Sequence, residues 1–216
     1  MRVLIVGAGG HAEVVADALR ASVASAAADI ELVGFADDAP SLWGKPLAGV
    51  SVLGSVRDAL AHPHDAVVVA IGNNSARRHM MRALAGDGES FATIIHPSAT
   101  VAPDVRWAPG SVILAGAVLN PGVTLGRGVI VNTCASVDHH SHVADYAHVA
   151  PGVHTGGEVS IGEGALIGVG ASIVPRCKIG AWAIVGAGAT VICDIPAHST
   201  VVGTPARIIE RREEPT

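Results

Sequence analysis

The sequence predicts an α/β Rossmann-like N-terminal domain followed by an all-β left-handed parallel β-helix of hexapeptide repeats. Three observations predict it. An aliphatic residue returns every six positions from Ile95 to Val191. The apolar run Val3–Val6 leads directly into the turn Gly7-Ala8-Gly9-Gly10-His11. Half of the residues are apolar, yet only 3% are aromatic, a balance that suits a narrow prism of Val, Ile, Ala and Gly.

The repeat is the strongest of the three. Reading every sixth residue from Ile95 to Val191 gives seventeen positions, fifteen of them Val, Ile or Leu; the exceptions are Trp107 and Thr155. Four places after each, from Ala99 to Ile195, stands a small or β-branched residue. Neither a helix nor an ordinary strand has that period. Each hexad is expected to form one short face of a triangular coil, about three hexads or 18 residues making a turn. The first residue then fills the interior, and the fifth sits beside it near a corner. Thr155-Gly156-Gly157, where a polar residue enters the interior series, suggests a bulge or close backbone approach.

Residues 1–93 read as the α/β domain, 94–195 as the β-helix and 196–216 as a C-terminal tail. Val3–Val6 suits a buried parallel strand, and Ala12–Ala21 has helical composition. Glu31–Phe35 reads as a second strand ending at Asp37-Asp38, and Arg57–His62 as a short helix. Ala66–Ile71 is a third strand ending at Gly72-Asn73-Asn74, followed by a helix over Ser75–Ala85 capped by Ser75 or Asn74. Alternating strands and helices place ligands at the carboxyl ends of the strands. The α/β domain and the tail are expected to cover the open ends of the coil, the last charged residues fraying. Flat faces rich in small residues favour a symmetric oligomer.

The formal charge of −5, with no basic run, argues against nucleic-acid binding. No apolar run approaches the ~20 residues of a membrane span. Cys134, Cys177 and Cys193 have neither CxxC spacing nor an even count. They are expected to pack as small apolar residues in a reducing, cytoplasmic setting.

The densest polar cluster is Asn132, Asp138, His139, His140, His142, His148 and His154. His142, His148 and His154 are six apart and would lie on three different faces, so one chain cannot gather them around a metal. The plain alternative for His142 and His154 is a surface histidine at a coil edge. His139, beside Asp138 and with Asn132 on the preceding face, suits a general base, since imidazole titrates near neutrality. The plain alternative is a solvated corner residue. In the first domain, Gly7-x-Gly9-x-x-Ala12 is a relaxed dinucleotide fingerprint with Asp37 or Asp38 after the second strand. Joined to a β-helix, it reads better as a nucleotide-sugar site, with the diphosphate at the helix N-terminus. Asp37 would meet the nucleoside, while His11, Asn73 and Arg77 would contact phosphate or sugar; for Arg77 and Arg78 the plain alternative is a solvated helix face.

These stretches, together with Ile95-His96-Pro97-Ser98-Ala99, Tyr146-Ala147-His148-Val149 and Val202-Gly203-Thr204-Pro205-Ala206, resemble the sialic acid O-acetyltransferase family. The resemblance covers residues 1–207 and is to its sugar N-acetyltransferase branch (PglD/PerB-like), which acetylates nucleotide-linked 4-amino-4,6-dideoxysugars for glycan or O-antigen assembly. It implies a homotrimer using acetyl-CoA and no metal, with the coenzyme between neighbouring coils. By the same resemblance His139 is the catalytic base, Asn132 contacts the sugar and His148 lies near the thioester. Gly157 offers an N–H to the thioester carbonyl, and Val169, Gly186 and Ala187 line the coenzyme channel. Gly9, Gly10, His11, Asp37, Asp38, Gly72, Asn73, Asn74 and Arg77 are the expected nucleotide-sugar residues. Several relatives carry Glu after the catalytic histidine where this chain has His140. Asp138 could polarise His139 instead, though adjacent strand residues face opposite ways, and His140 could itself be the base. The expected reaction is acetyl transfer from acetyl-CoA to the C4 amine, by direct attack and without a cysteine acyl-enzyme. The alternatives are O-acetylation of a sialic acid or related sugar and, from other classes, a trimeric zinc hydratase or a non-catalytic oligomer.

Overall fold

The computed structural model describes residues 1–25 and 29–211. It divides into two compact units, Met1–Pro97 and Ser98–Thr216.

In the first unit, strand β1 (Arg2–Val6) lies between β2 (Glu31–Ala36) and β5 (Ala66–Val69), parallel to both. β4 (Val50–Gly54) extends the sheet beyond β2, and β3 (Pro46–Leu47) pairs antiparallel with β4, giving the order β3-β4-β2-β1-β5. Val3, Leu4, Ile5 and Val6 are fully buried, as a central strand covered on both faces requires. Helix α1 (Gly10–Ala24) buries Ala12, Val15, Ala16, Ala18 and Leu19, and starts earlier than the apolar pattern because Gly9 is its N-cap. Helix α2 is only Val56–Ala59; the Ser55 hydroxyl caps the Asp58 N–H, and the Asp38 carboxylate accepts from the Val56 N–H. Helix α3 (Asn74–Gly86) is capped one residue before the expected position: Asn73 is extended, and its Oδ1 accepts from the Ala76 N–H at 2.9 Å. Phe91 bridges to Val67, and the Ser22 hydroxyl donates to the Ile95 carbonyl, which ties the chain up to residue 95 to this unit.

In the second unit each strand from Thr100 to Val191 is two residues long and uses the last and first positions of consecutive hexads, as in Ser136–Val137, His142–Val143 and His148–Val149. Residues 18 apart pair in parallel, so Val118 faces Ser136 and Thr124 faces His142. Successive strands belong to three different sheets, the faces of a triangular coil. Ile113, Val131, Val137, Val143, Val149 and Ile167 from the first position are completely buried, as are Ala117, Ala135, Ala147 and Ala165 from the fifth. Trp107, on the edge strand of its sheet, is half-exposed rather than interior. At the corners from Gly110 to Gly188 the fourth residue of the hexad turns the chain through positive φ; Cys134, His140, Tyr146, Glu158, Arg176 and Trp182 all do so without being glycine.

The tail is more ordered than its composition suggests. Ser199–Val202 continues one face in parallel with Ile184–Val185, and Arg207–Arg211 returns antiparallel to it. Main-chain pairing overrides the expected fraying as far as Arg211; residues 212–216 lie outside the described part.

Candidate active site

The predicted residues gather at two different corners of the coil and at the carboxyl ends of the first sheet. The first corner holds Asn120, Asp138, His139, His140, Gly156 and Gly157. His139 and Gly157 occupy the same hexad position one coil apart, and a Cβ built on Gly157 would collide with His139 Cε1 and Nε2. The imidazole therefore lies directly over the glycine. The absence of a side chain at Gly157 makes room for its own chain's histidine. Gly122 does the same for His140, whose Cδ2 would stand 2.8 Å from an added Cβ. The two rings meet edge to face, with Nδ1 to Nδ1 at 3.1 Å.

Asp138 does not polarise the His139 ring. Its Oδ1 accepts from the His139 backbone N–H at 2.8 Å and from the Asn120 amide at 2.6 Å. The His139 N–H, then the Asn120 amide, hold this carboxyl below the usual range. Asn132 binds the following N–H in the same way, Thr133 N to Oδ1 at 2.8 Å. Gly156 occupies this hexad position in the next coil and has no side chain to offer. The Gly157 N–H has no acceptor among the described residues, which leaves it able to donate to a developing oxyanion.

Thr155 explains how the corner is shaped. Elsewhere the second residue of a hexad donates its N–H to the main-chain carbonyl of the next coil, as in Asn132 to Val149 and Ala144 to Ile161. Asp138 donates instead to the Thr155 hydroxyl at 3.0 Å, and pairing between these strands is reduced to Ser136 with His154. The polar interruption in the interior series is thus a break in the ladder directly behind His139. Sequence reasoning flagged Thr155 as a bulge but did not tie it to Asp138, and it missed Asn120 altogether. The 18-residue spacing from Asn120 to Asp138 to Gly156 was the available signal.

The second corner carries Asn132, with Gly186 at the same hexad position, and Val169 with Ala187. His148 Nε2 lies 3.0 Å from the Asn132 amide, which can only donate, so Nε2 accepts. Val169 is exposed, while an added Cβ on Gly186 would strike Val202. His142 and His154 lie on other faces, bonded to the Thr124 and Ser136 hydroxyls, both at 2.8 Å. Cys134 and Cys193 are exposed, contrary to the packing expected of them; the interior admits only the first and fifth hexad positions, and only Cys177 holds one.

At the sheet, Gly7 has φ +106 and an added Cβ would meet the Ala70 carbonyl oxygen at 2.9 Å, so the chain itself demands this glycine. An added Cβ at Gly9, Gly10 or Gly72 would meet nothing, which leaves these backbones open to close approach by a ligand. No side chain caps α1. Asp37 accepts from Ala8 N–H through Oδ2 and from Ala39 N–H through Oδ1, both at 2.9 Å, clasping the glycine turn to the loop after β2. His11 is pushed down to about 4 by its enclosure and then by the Arg77 charge, so it is neutral at pH 7. Arg77 corrects both of its expectations. It is 1% exposed, neither on a solvated face nor open to a phosphate. It donates to the Ile71 and Gly72 carbonyls at 2.9 and 3.3 Å and to Asn74 Oδ1 at 2.9 Å, and burial lowers its pKa to about 10. Asn74 is likewise buried against Arg77, and Asn73 is engaged as a cap. These three shape the loop from within.

Residues 2–84 match the PglD N-terminal domain, and residues 158–193 match the bacterial transferase hexapeptide (six repeats). The acetyltransferase domain of PglB from Neisseria gonorrhoeae FA1090, solved with acetyl coenzyme A, is 37% identical, with a TM-score of 0.88 over 96% of this chain and 98% of that one. A histidine-to-asparagine variant of perosamine N-acetyltransferase from Caulobacter crescentus, solved with CoA and GDP-perosamine, is 35% identical, with a TM-score of 0.90 over 97% of each chain. A UDP-N-acetylbacillosamine N-acetyltransferase of Bacillus subtilis (strain 168) is 38% identical over 121 residues, 52% of this chain. That match spans about half of the curated relative, 51% of its length.

Proposed function

The chain belongs to the family of hexapeptide-repeat sugar N-acetyltransferases with a PglD-type N-terminal domain, and from that premise we propose that it acetylates the C4 amine of a nucleotide-linked 4-amino-4,6-dideoxysugar with acetyl-CoA. The observation that carries this reading is the stacking of His139 on Gly157, which sets a base and an uncommitted N–H together at one corner.

The amine attacks the thioester carbonyl directly and forms the C–N bond. Nε2 of His139 takes the proton that the amine must lose. The Gly157 N–H donates to the oxygen as negative charge develops there. Collapse of the tetrahedral intermediate breaks the C–S bond and releases CoA as thiolate, so no acyl-enzyme is needed. In the α/β unit the uncapped start of α1, with Gly9 and Gly10 open and His11 neutral, suits the diphosphate of the acceptor. Asp37, holding Ala8 in place, sets the shape of that turn.

His139 and Gly157 stand at one corner of the coil, while Asn132, Val169 and Ala187 stand at another. A single site using all of them would form between neighbouring chains, which supports a homotrimer. The test is thiol release from acetyl-CoA against UDP-, GDP- and dTDP-linked 4-amino sugars, with His139→Asn alongside. Turnover on one amine, lost in the variant, is the expected result. Thiol release with a sialic acid and with no amine would move the reaction to O-acetylation, and failure to bind CoA would overturn it altogether.

A further inference from the structure

We infer that His140 is a positioning residue for His139: its neutral imidazole accepts the His139 Nδ1–H and so holds the catalytic ring in the tautomer whose Nε2 is free to take a proton. The inference rests on the reading of His139 as the base. It starts from the 3.1 Å between the two Nδ1 atoms. One of these nitrogens must donate and the other accept. If His140 donated, the neutral His139 would carry its proton on Nε2 and could not act as a base. If His139 donates, its Nε2 lone pair is exposed at the edge that lies over Gly157. Of the two arrangements, only the second is catalytic.

The chain builds this pair at a backbone cost. His140 sits at φ +55, at a turn position that Gly122 fills one coil earlier. Cys134, Tyr146, Glu158, Arg176 and Trp182 hold the same conformation at other corners, so what sets His140 apart is the contact of its ring with His139. The acceptor for His139 Nδ1–H is not Asp138, which is occupied by the His139 N–H and Asn120. As the proton reaches Nε2, the imidazolium of His139 is stabilised through Nδ1–H by a neutral acceptor instead of a carboxylate. The charged groups around the pair are Asp138, Asp104 on the Gly122 N–H, and Glu158 in the coil beyond, itself 3.4 Å from Arg176.

His140→Gly, His140→Asn and His140→Glu separate this role from a plain surface turn. Glycine, which holds the same corner conformation at Gly122 one coil earlier, leaves the fold intact but removes the acceptor. The expected result is a kcat loss of about 10- to 100-fold, part of the 10²–10⁴ that a positioned base supplies, with KM for both substrates within about twofold. Asn offers an amide oxygen and restores most of kcat. Glu restores kcat too, but as a charged acceptor it moves the acid limb of the pH–rate profile to higher pH. Wild-type kcat and an unchanged pH profile in His140→Gly would overturn the proposal while leaving the acetyltransferase reading intact. A second measurement stands apart from activity: ¹⁵N imidazole NMR of the free protein. It should show His139 protonated on Nδ1 in the wild type, and that preference should be lost in His140→Gly. Protonation of His139 on Nε2 in the wild type would overturn the proposal even if no acceptor sugar is turned over.

Discussion

Replacing Gly157 by alanine adds one carbon at the point where His139 rests. The new Cβ would fall inside contact distance of Cε1 and Nε2, and 3.0 Å from Cδ2. Ordinary contacts to a Cβ begin at 3.4 Å, so the ring must retreat by on the order of 1 Å. A displacement of that size at a catalytic group costs about 10²-fold, or ~2.7 kcal/mol in the barrier. The main chain itself raises no objection, because the φ of Gly157 lies outside the left-handed region. Removing the glycine's freedom in the unfolded chain even favours folding by about 0.4–1 kcal/mol. The expected pattern is therefore a kcat about 100-fold lower with a melting temperature within a few degrees of wild type. Steady-state thiol release and thermal unfolding on the same preparation measure both. The double variant with His139→Asn should lose little beyond the single ones, since both act through one ring. A kcat within about twofold of wild type would refute the assignment of His139 as base, because its ring cannot stay where it is.

Three further outcomes follow from other contacts. Thr155→Val keeps the shape of the side chain but deprives the Asp138 N–H of its acceptor. Urea unfolding should register a loss of about 1–3 kcal/mol and kcat should fall, whereas an unchanged kcat would separate the ladder break from catalysis. Asp37→Ala releases the Ala8 and Ala39 N–H groups, so KM for the nucleotide sugar should rise at least several-fold while KM for acetyl-CoA stays constant; equal changes in both would deny the turn a separate role. The His64–Glu89 pair, 2.9 Å apart, gives the fold a pH dependence. Burial alone would lower the His64 pKa, but hydrogen bonds with the His62 carbonyl and Glu89 outweigh it and raise the value above 6.5, against a smaller opposing influence from Arg2. A raised histidine pKa stabilises the fold fully below the unfolded value and ceases to do so as pH climbs through the folded one. Glu89→Gln should therefore lower the melting temperature at pH 6 and leave it nearly unchanged at pH 8.5; the reverse order would contradict the pairing.

The coil was legible in the sequence because its interior is so narrow. Only the first and fifth residues of each hexad point inward, so Ile113 through Val191 carry the period on their own. The 18-residue turn follows from three such faces, and it would have revealed Asn120 above Asp138 and His139 above Gly157 by counting alone. The glycine turn after β1 was legible for a similar reason, since Gly7 alone can approach the Ala70 carbonyl at that φ.

What the tertiary structure decided were the facts that depend on which side chain meets which backbone group. Arg77 on a helix reads the same whether its face meets solvent or carbonyls, and only packing shows it buried against Ile71, Gly72 and Asn74. Asp138 could serve either a ring or an N–H, and the choice depends on local torsions that no spacing encodes. The same holds for Thr155, whose hydroxyl replaces a main-chain carbonyl, and for His140, whose ring turns toward His139 only because Gly122 leaves it room. Periodicity records what is buried along a chain; hydrogen bonds between coils are short-range and directional, so they are settled only once the coils are stacked.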